Sequence, residues 1–175
     1  MKKTSSKTKD MITVSLSAAL ICLCSWIQVP SAVPFTMQTF AVFLVSATLG
    51  AQKGVAATLV YLFLGIAGLP VFSGFQGGVG TLLGATGGFV FGFVLSAFIV
   101  GISSDKWGYG LLPSVLSSVT AIAVCYLTGM LWFAFVYGNG NLSGAFTVCV
   151  LPFILPDAIK ITLAMLVAKR VSGII

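Results

Sequence analysis

The chain has 175 residues, of which 58% are hydrophobic and only 7% are charged, and its formal net charge is +6. A soluble domain contains about 25% charged residues, and a disordered chain has low hydrophobicity, so this composition excludes both classes. A membrane-spanning helix takes about 20 apolar residues, and the length therefore accommodates about six of them. We predict an all-α integral membrane protein that forms a single membrane domain over residues 1–175.

Six apolar spans follow a polar tail at residues 1–10. Pro30 and Pro34 end the first span, a tight polar turn at residues 51–54 separates the second from the third, and the glycine-rich segment 73–80 precedes the fourth. Glycine and proline are the strongest local interruptions of regular structure. The spans are predicted at residues 11–29, 38–50, 55–68, 82–102, 111–136 and 156–167.

The basic residues follow this topology. Four of the nine lie in the polar tail, which indicates a topology signal rather than nucleic-acid binding. If the amino terminus is cytoplasmic, the basic residues at the helix ends also fall on the cytoplasmic side: Lys53, Lys106, Lys169 and Arg170. Because Lys and Arg are enriched in cytoplasmic loops, both termini are predicted to be cytoplasmic.

The predicted outer connections contain no Lys or Arg, and they carry glycine, proline and the aromatic residues Phe35, Phe72 and Phe75. Irregular backbone near membrane depth is tolerated only where protein or a cavity satisfies its polar groups. We therefore interpret these loops as the lid of an outward-facing substrate pocket, with plain connecting loops as the alternative.

The sequence lacks residues that metal-dependent catalysis and P-loop nucleotide binding require. The sequence has no His and no Glu, its only acidic residues are Asp10, Asp105 and Asp157, and it has no GxxxxGK[ST] motif. Catalytic metals and P-loop nucleotide binding depend on such residues. We therefore expect neither an enzyme nor a cofactor or metal of its own, so uphill transport would need an ion gradient or another subunit. The four cysteines lie in apolar runs, where small buried hydrophobic residues are the favoured interpretation.

Asp157 and Lys160 give the strongest functional signal because they are ionisable residues inside the sixth span. Charges within a span are costly unless they are paired or hydrated. Their i, i+3 spacing places both on one face of the helix. Lys160 lies about 15 Å from Arg170 along a helix, which places the pair in the outer part of the bilayer. The alternative is an intrahelical ion pair that only balances its own charge.

Segment 33–38 joins the first two spans and carries groups that suit a small ligand. Its prolines favour an extended backbone, Phe35 offers a flat apolar surface, and Thr36 and Gln38 offer hydrogen-bond donors and acceptors. The alternative is a simple turn in which Thr36 caps the second span.

Glycines recur at every fourth position near the start of the fourth span: Gly80, Gly84, Gly88 and Gly92. Such a stripe lets another helix approach closely, and we favour helix packing for Gly88 and Gly92. Segment 84–88, which includes Thr86, has exposed backbone N–H groups at a predicted helix start. Ligand contact and packing are equally supported for this segment.

Small residues in the first span form the pairs Ser15/Ala19 and Ala18/Cys22. A face of small residues suits close contact with a helix of another subunit, and internal packing is the alternative.

Several short segments occur in a characteristic order along the chain: 33–39 (VPFTMQT), 68–72 (GLPVF), 84–89 (GATGGF) with 92–93 (GF), 152–153 (PF) and 156–160 (PDAIK). Together they resemble the BioY family, the biotin-binding S components of energy-coupling factor (ECF) transporters. The resemblance implies a six-helix S component in the prokaryotic cytoplasmic membrane that binds biotin from outside with high affinity. It also implies assembly with a transmembrane coupling (T) protein and two ATPase subunits, which alone use ATP.

Biotin suits the chemistry of the candidate residues. Asp157 is expected to accept from a ureido N–H, and Lys160 to donate to the ureido carbonyl or to the valerate carboxylate. The candidate ligand-binding residues are Asp157, Lys160, Phe35, Thr36, Gln38, Gly84, Thr86 and Phe72, and the candidate docking residues are Ser15, Ala18, Ala19 and Cys22.

Alternative functions also fit a small polytopic membrane protein. An autonomous secondary transporter or small channel would use Asp157 and Lys160 as a proton or ion relay. An S component for another small vitamin would share the fold and differ in its ligand. A membrane enzyme is disfavoured because the chain has no His, no Glu and no pairing of a nucleophile with a base.

Overall fold

The structure is a computed structural model that describes residues 2–31 and 33–172. Helices make up 81% of it, which confirms the predicted all-α class. The predicted domain 1–175 also includes Met1, Ala32 and residues 173–175, which lie outside the described residues. The elements are α1 (Lys2–Trp26), β1 (Gln28–Val29), β2 (Phe35–Thr36), α2 (Gln38–Ile66), a 3-10 turn (Ser73–Phe75), α3 (Val79–Leu82), α4 (Gly87–Trp107), α5 (Leu111–Val136), α6 (Leu142–Cys149), a second 3-10 turn (Leu151–Phe153) and α7 (Ile154–Ser172).

Within the described residues, five helical segments are long and apolar enough to cross a membrane, whereas the sequence predicts six spans. The difference lies in α2, which covers both the second and the third predicted span. The five segments are residues 7–26, 38–66, 87–107, 111–136 and 142–172.

Helix α2 reverses its direction at Gly50, where the backbone has φ 78° and ψ 178°. A Cβ built at Gly54 would lie 2.8 Å from the Ser46 Cα, although residues eight positions apart are separated by about 12 Å in a straight helix. The two halves of α2 therefore form a helical hairpin with arms 38–49 and 51–66. The turn is tighter than the predicted polar turn because glycine adopts a positive φ without steric cost.

The ends of the remaining helices differ from the predicted spans to varying degrees. Helix α1 already begins at Lys2, so the expected polar tail is helical from that residue onward. Helix α5 has the predicted bounds, and α7 extends beyond the predicted span 156–167 at both ends. The fourth span begins at Gly87 rather than at residue 82, because the turn at 83–86 separates α3 from α4.

The main core lies between α1, the α2 hairpin and α4, where Ile21, Val42 and Tyr61 are almost completely buried. Helix α7 packs against α2, and α5 packs against α4 and α6. All four cysteines are free and buried, which confirms their interpretation as small hydrophobic residues.

Gly88 and Gly92 allow the close approach of α4 and α5. A Cβ at Gly88 would lie 2.5 Å from the Thr128 carbonyl oxygen, and one at Gly92 would lie 3.0 Å from the Cys125 Cα. No side chain fits at such distances without a shift of the backbone. The packing interpretation of these two glycines is therefore confirmed.

Charged and polar groups gather at one end of the bundle, which we name the basic end. Lys53 pairs with Asp10 at 2.7 Å, and the Tyr109 hydroxyl donates to the Ala47 carbonyl at 2.9 Å. Lys169 lies in the same groove as Tyr109. The structure thus brings the ends of α1, α4 and α7 and the hairpin turn together.

The opposite end carries aromatic side chains, and we name it the aromatic end. Trp26 stacks on Phe75 with 5.0 Å between ring centroids, and the Trp26 indole N–H donates to the Pro70 carbonyl at 2.9 Å. These contacts tie the end of α1 to the loop between α2 and α3.

Candidate ligand-binding site

A cavity opens near the aromatic end, with walls from segment 33–39, α2, α4, α5 and α7. Its void measures about 640 Å³ when the open solvent at its mouth is counted. The residues that line it are Val33, Pro34, Thr36, Gln38, Thr39, Tyr61, Phe72, Ser73, Thr81, Leu82, Thr86, Phe89, Val90, Phe93, Ile122, Cys125, Tyr126, Phe153, Asp157 and Lys160.

Asp157 and Lys160 form a buried ion pair in the wall of this cavity. Their Oδ1 and Nζ atoms are 2.5 Å apart, and the residues are only 3% and 5% exposed. The Asp157 Oδ2 accepts a hydrogen bond from the Tyr126 hydroxyl at 2.7 Å. The Asp157 Oδ1 has no hydrogen-bond donor in the described part of the chain apart from the Lys160 ammonium, so it retains the capacity to accept from a ligand.

Lys160 also connects α7 to segment 33–38. Its ammonium donates to the Thr36 carbonyl at 2.8 Å and lies 4.0 Å from the centre of the Phe35 ring. A cation over an aromatic face is attracted by the negative face of the ring. The pair is therefore more than a self-contained contact within α7, because it also anchors the loop that forms one wall of the cavity.

Segment 33–38 is restrained by local backbone pairing as well. Strands β1 and β2 form an antiparallel ribbon, and the Met37 N–H donates to the Ile27 carbonyl at 3.0 Å. The Thr36 hydroxyl accepts from the Gln38 N–H at 3.3 Å, although Met37 holds the N-cap position of α2. Thr36 therefore contributes to the turn and to the cavity wall at once.

Gln38 and Phe72 line the side of the cavity nearest α2. The Gln38 side chain is buried, and its Nε2 has no acceptor among the described residues, so it can donate to a ligand. Phe72 is 2% exposed, and its ring occupies the space that a side chain at Gly65 would fill. Tyr61 meets that ring edge-on with 5.5 Å between centroids, which fixes its orientation.

Two of the predicted ligand-binding residues lie outside the cavity lining. The Gly84 carbonyl accepts from the Trp132 indole N–H at 2.9 Å, so this group holds α5 against the turn before α4. Phe35 reaches the site only indirectly, since it stacks on Phe153 at 6.0 Å and lies against Lys160. Thr86, by contrast, lines the cavity.

Two cavity residues on α5, Cys125 and Tyr126, are not among the predicted ligand-binding residues. They lie within an apolar span, where hydropathy does not separate them from lipid-facing neighbours. Phe89 and Phe93 also line the cavity, and they belong to segments 84–89 and 92–93 of the family resemblance. Tyr126 carries the one available signal on α5, because a tyrosine hydroxyl away from water normally finds a hydrogen-bond partner. Its partner is Asp157 on another helix.

The candidate docking residues divide between two faces of α1. Ala18 and Cys22 are buried in the core, with 1% and 7% exposure, because this face of α1 packs against α2. This corrects the expectation that they are available to a partner. Ser15 and Ala19 are exposed, and they remain candidates for such a contact.

The cavity offers groups for binding a small molecule. A carboxylate acceptor, an ammonium and an amide donor lie beside aromatic walls, which suits a flat apolar body with a polar edge. The described residues contain no group of three or more His, Cys, Asp or Glu that could hold a metal ion.

Comparisons with known proteins agree with this architecture. A biotin S-component from an ECF-type ABC transporter, known from a crystal structure, superimposes with a TM-score of 0.86. It shares 21% identity, and the alignment covers 97% of this chain and 93% of that one, which establishes a common fold.

Related sequences cover almost the whole chain. The probable biotin transporter BioY of Pyrococcus horikoshii is 38% identical over 95% of this chain and 98% of its own length. The biotin transporter BioY of Thermotoga maritima is 37% identical over 94% of this chain and 96% of its own length.

The family itself is established by a sequence model that spans the chain. The model of the BioY family matches residues 1–175, which confirms the resemblance seen in the sequence. This family comprises membrane transporters rather than enzymes, and its apolar helices make the protein a multi-pass protein of the cell membrane. On the combined strength of the sequence match, the relatives and the shared fold, the chain belongs to the BioY family.

Proposed function

We propose that this chain captures biotin in the cavity near the aromatic end and serves as the high-affinity substrate-binding subunit of an ECF-type vitamin uptake transporter. The observation that carries the proposal is the buried ion pair of Asp157 and Lys160, with the half-buried Tyr126 bonded to its carboxylate, in the wall of a cavity with aromatic sides. The names of the relatives and the S-component fold support the same ligand.

The polar groups of the cavity are complementary to the polar groups of biotin. The Asp157 Oδ1 is positioned to accept from a ureido N–H, since Tyr126 already occupies Oδ2. Lys160 and the Gln38 amide can donate to the ureido carbonyl or to the carboxylate. The aromatic walls, including Phe72 and Phe93, suit the apolar fused rings.

A binding titration tests this proposal directly. The detergent-purified chain is titrated with biotin by calorimetry, with riboflavin and thiamine as control ligands. Saturable one-site binding of biotin alone is the expected result. Binding of another vitamin, or of none in a folded sample, would contradict biotin as the ligand.

Tyr126→Phe should weaken biotin binding by roughly tenfold, because a hydrogen bond to a charged group contributes about 1.5–3 kcal/mol. The phenol restrains the Asp157 carboxylate, and its loss frees that group to rotate away from the ligand. Calorimetric titration measures the change. Tyr137→Phe is the matched control because Tyr137 is exposed at the end of α5, and equal affinities of the two variants would argue against a role for Tyr126.

The proposed topology has six membrane crossings, counting the two arms of the α2 hairpin separately, with both termini cytoplasmic and the pocket facing outward. The gathering of Lys53 and Lys169 at one end supports it. In a cysteine-free background, Gln52→Cys at the basic end should resist a membrane-impermeant maleimide in intact cells, and Ser143→Cys at the aromatic end should react. The reverse pattern would invert the topology.

Transport by this subunit requires energy from partners, which we propose to be a T protein and two ATPase subunits. The sequence has no GxxxxGK[ST] motif for nucleotide binding. No cofactor of its own is needed in this scheme. Uptake into proteoliposomes by the chain alone, driven by a pH gradient, would instead favour a secondary transporter.

Ala19→Trp should block assembly with the T protein while leaving biotin affinity unchanged. Ala19 and Ser15 lie on the exposed face of α1, where a large ring would prevent close helix approach. Co-purification of the subunits provides the measurement. Leu127→Trp on the exposed side of α5 is the control, and equal assembly of both variants would place the docking surface elsewhere.

A further inference from the structure

A second large space lies between α5 and α7 and adjoins the cavity, since Ile122, Tyr126 and Asp157 line both. Helix α5 packs on α4 and α6, and α7 packs on α2, so a groove remains between them. This groove encloses about 1140 Å³ including its mouth. It runs along α7 from Asp157 to Lys169, a distance of about 18 Å at 1.5 Å per residue.

We propose that this groove, named here the α5/α7 groove, binds one anionic phospholipid from the leaflet at the basic end. Its acyl chains would lie between the two helices, and its phosphate would lie at Lys169. The proposal does not depend on which vitamin occupies the cavity.

The lining of the groove suits acyl chains. Much of it is aliphatic, and the neighbouring Val115, Val119 and Leu166 are 49%, 60% and 60% exposed on the apolar outside of the bundle. In a bilayer this surface meets hydrocarbon rather than water. Its length of about 18 Å is close to half of the ~30 Å hydrocarbon core, which is the depth of one leaflet.

The basic residue in the groove favours an anionic lipid headgroup. The groove carries one basic residue, Lys169, at the basic end, and Arg170 follows it in the sequence. The other charged residue in the lining is Asp157 at the far end, where Lys160 neutralises it. Basic sites between membrane helices favour anionic headgroups.

Native mass spectrometry of the full-length chain in detergent tests the proposal, with dioleoylphosphatidylglycerol and dioleoylphosphatidylcholine as probes. Phosphatidylglycerol should bind about fivefold more tightly, and Lys169→Gln should remove that preference. Lys106→Gln is the charge control because Lys106 is an exposed lysine at the end of α4 that does not line the groove.

A second test of the proposal fills the groove with a large side chain. Thr162→Trp should prevent stable binding of either lipid, whereas Leu163→Trp on the neighbouring exposed position should not. Val119→Trp fills the groove from the α5 side and replaces Thr162→Trp if that variant does not fold. Equal binding of the two lipids, or groove variants that match their controls, would overturn the proposal.

Discussion

Asp157→Asn should reduce biotin affinity by roughly 30-fold or more, because breaking a buried hydrogen-bonded charge pair costs about 2–5 kcal/mol. The substitution preserves the shape of the side chain and removes its charge. Lys160 would then be buried without its counter-charge, 2.5 Å from an amide. The amide would also replace one carboxylate oxygen by an N–H donor, which leaves Lys160, Tyr126 and the ureido N–H with a single oxygen as acceptor. Calorimetric titration with biotin measures the loss.

Two further variants separate ligand binding from folding. Asp10→Asn removes the partly exposed partner of Lys53, and biotin affinity should not change because such surface pairs contribute about 0–1 kcal/mol. The double variant Asp157→Leu/Lys160→Met removes both buried charges. It should fold at least as well as Asp157→Asn, because apolar replacement of a buried pair is often neutral or stabilising. Wild-type biotin affinity in the double variant would refute the proposed role of the pair.

Gly88→Leu should strongly destabilise the helix bundle. Its Cβ would lie 2.5 Å from the Thr128 carbonyl oxygen and would also collide with the Trp132 Cβ, so α4 and α5 would have to separate. Overpacking of a tight contact costs about 1–3 kcal/mol and sometimes more. We expect a lower midpoint of thermal unfolding in detergent, together with loss of the Trp132 hydrogen bond to Gly84.

Gly80→Leu is the matched control for this prediction. Gly80 belongs to the same sequence stripe, but a Cβ at this position has no neighbour within 4 Å. Its unfolding midpoint should stay close to that of the wild type. If both variants unfolded at the same temperature, close packing at Gly88 would not limit stability.

The features that could be predicted from sequence depend on residues close together in the chain. The membrane class and the bounds of α5 follow from a long apolar run between polar ends. The pairing of Asp157 with Lys160 follows from their spacing on one helix. Hydropathy did not predict the exact turn of the α2 hairpin, because the chain reverses at Gly50, before the predicted polar turn at 51–54.

Contacts between distant segments required the tertiary structure. The partner of Asp157 lies 31 positions away at Tyr126, and Lys160 binds the Thr36 carbonyl across 124 positions. Neither separation is a spacing that local periodicity can indicate. The same holds for the carbonyl of Gly84, which accepts from Trp132 rather than facing the cavity.

By itself, then, the sequence determined that the protein is a helical membrane protein, which family it belongs to, and which buried ion pair sits in its last helix. Only the tertiary structure decided which face of each helix is buried, as the separation of Ala18 from Ala19 on α1 shows. The physical reason is that the helices are surrounded by lipid rather than by water. Lipid tails are as apolar as a protein core, so an apolar residue that faces lipid and one that faces the cavity look alike in the sequence.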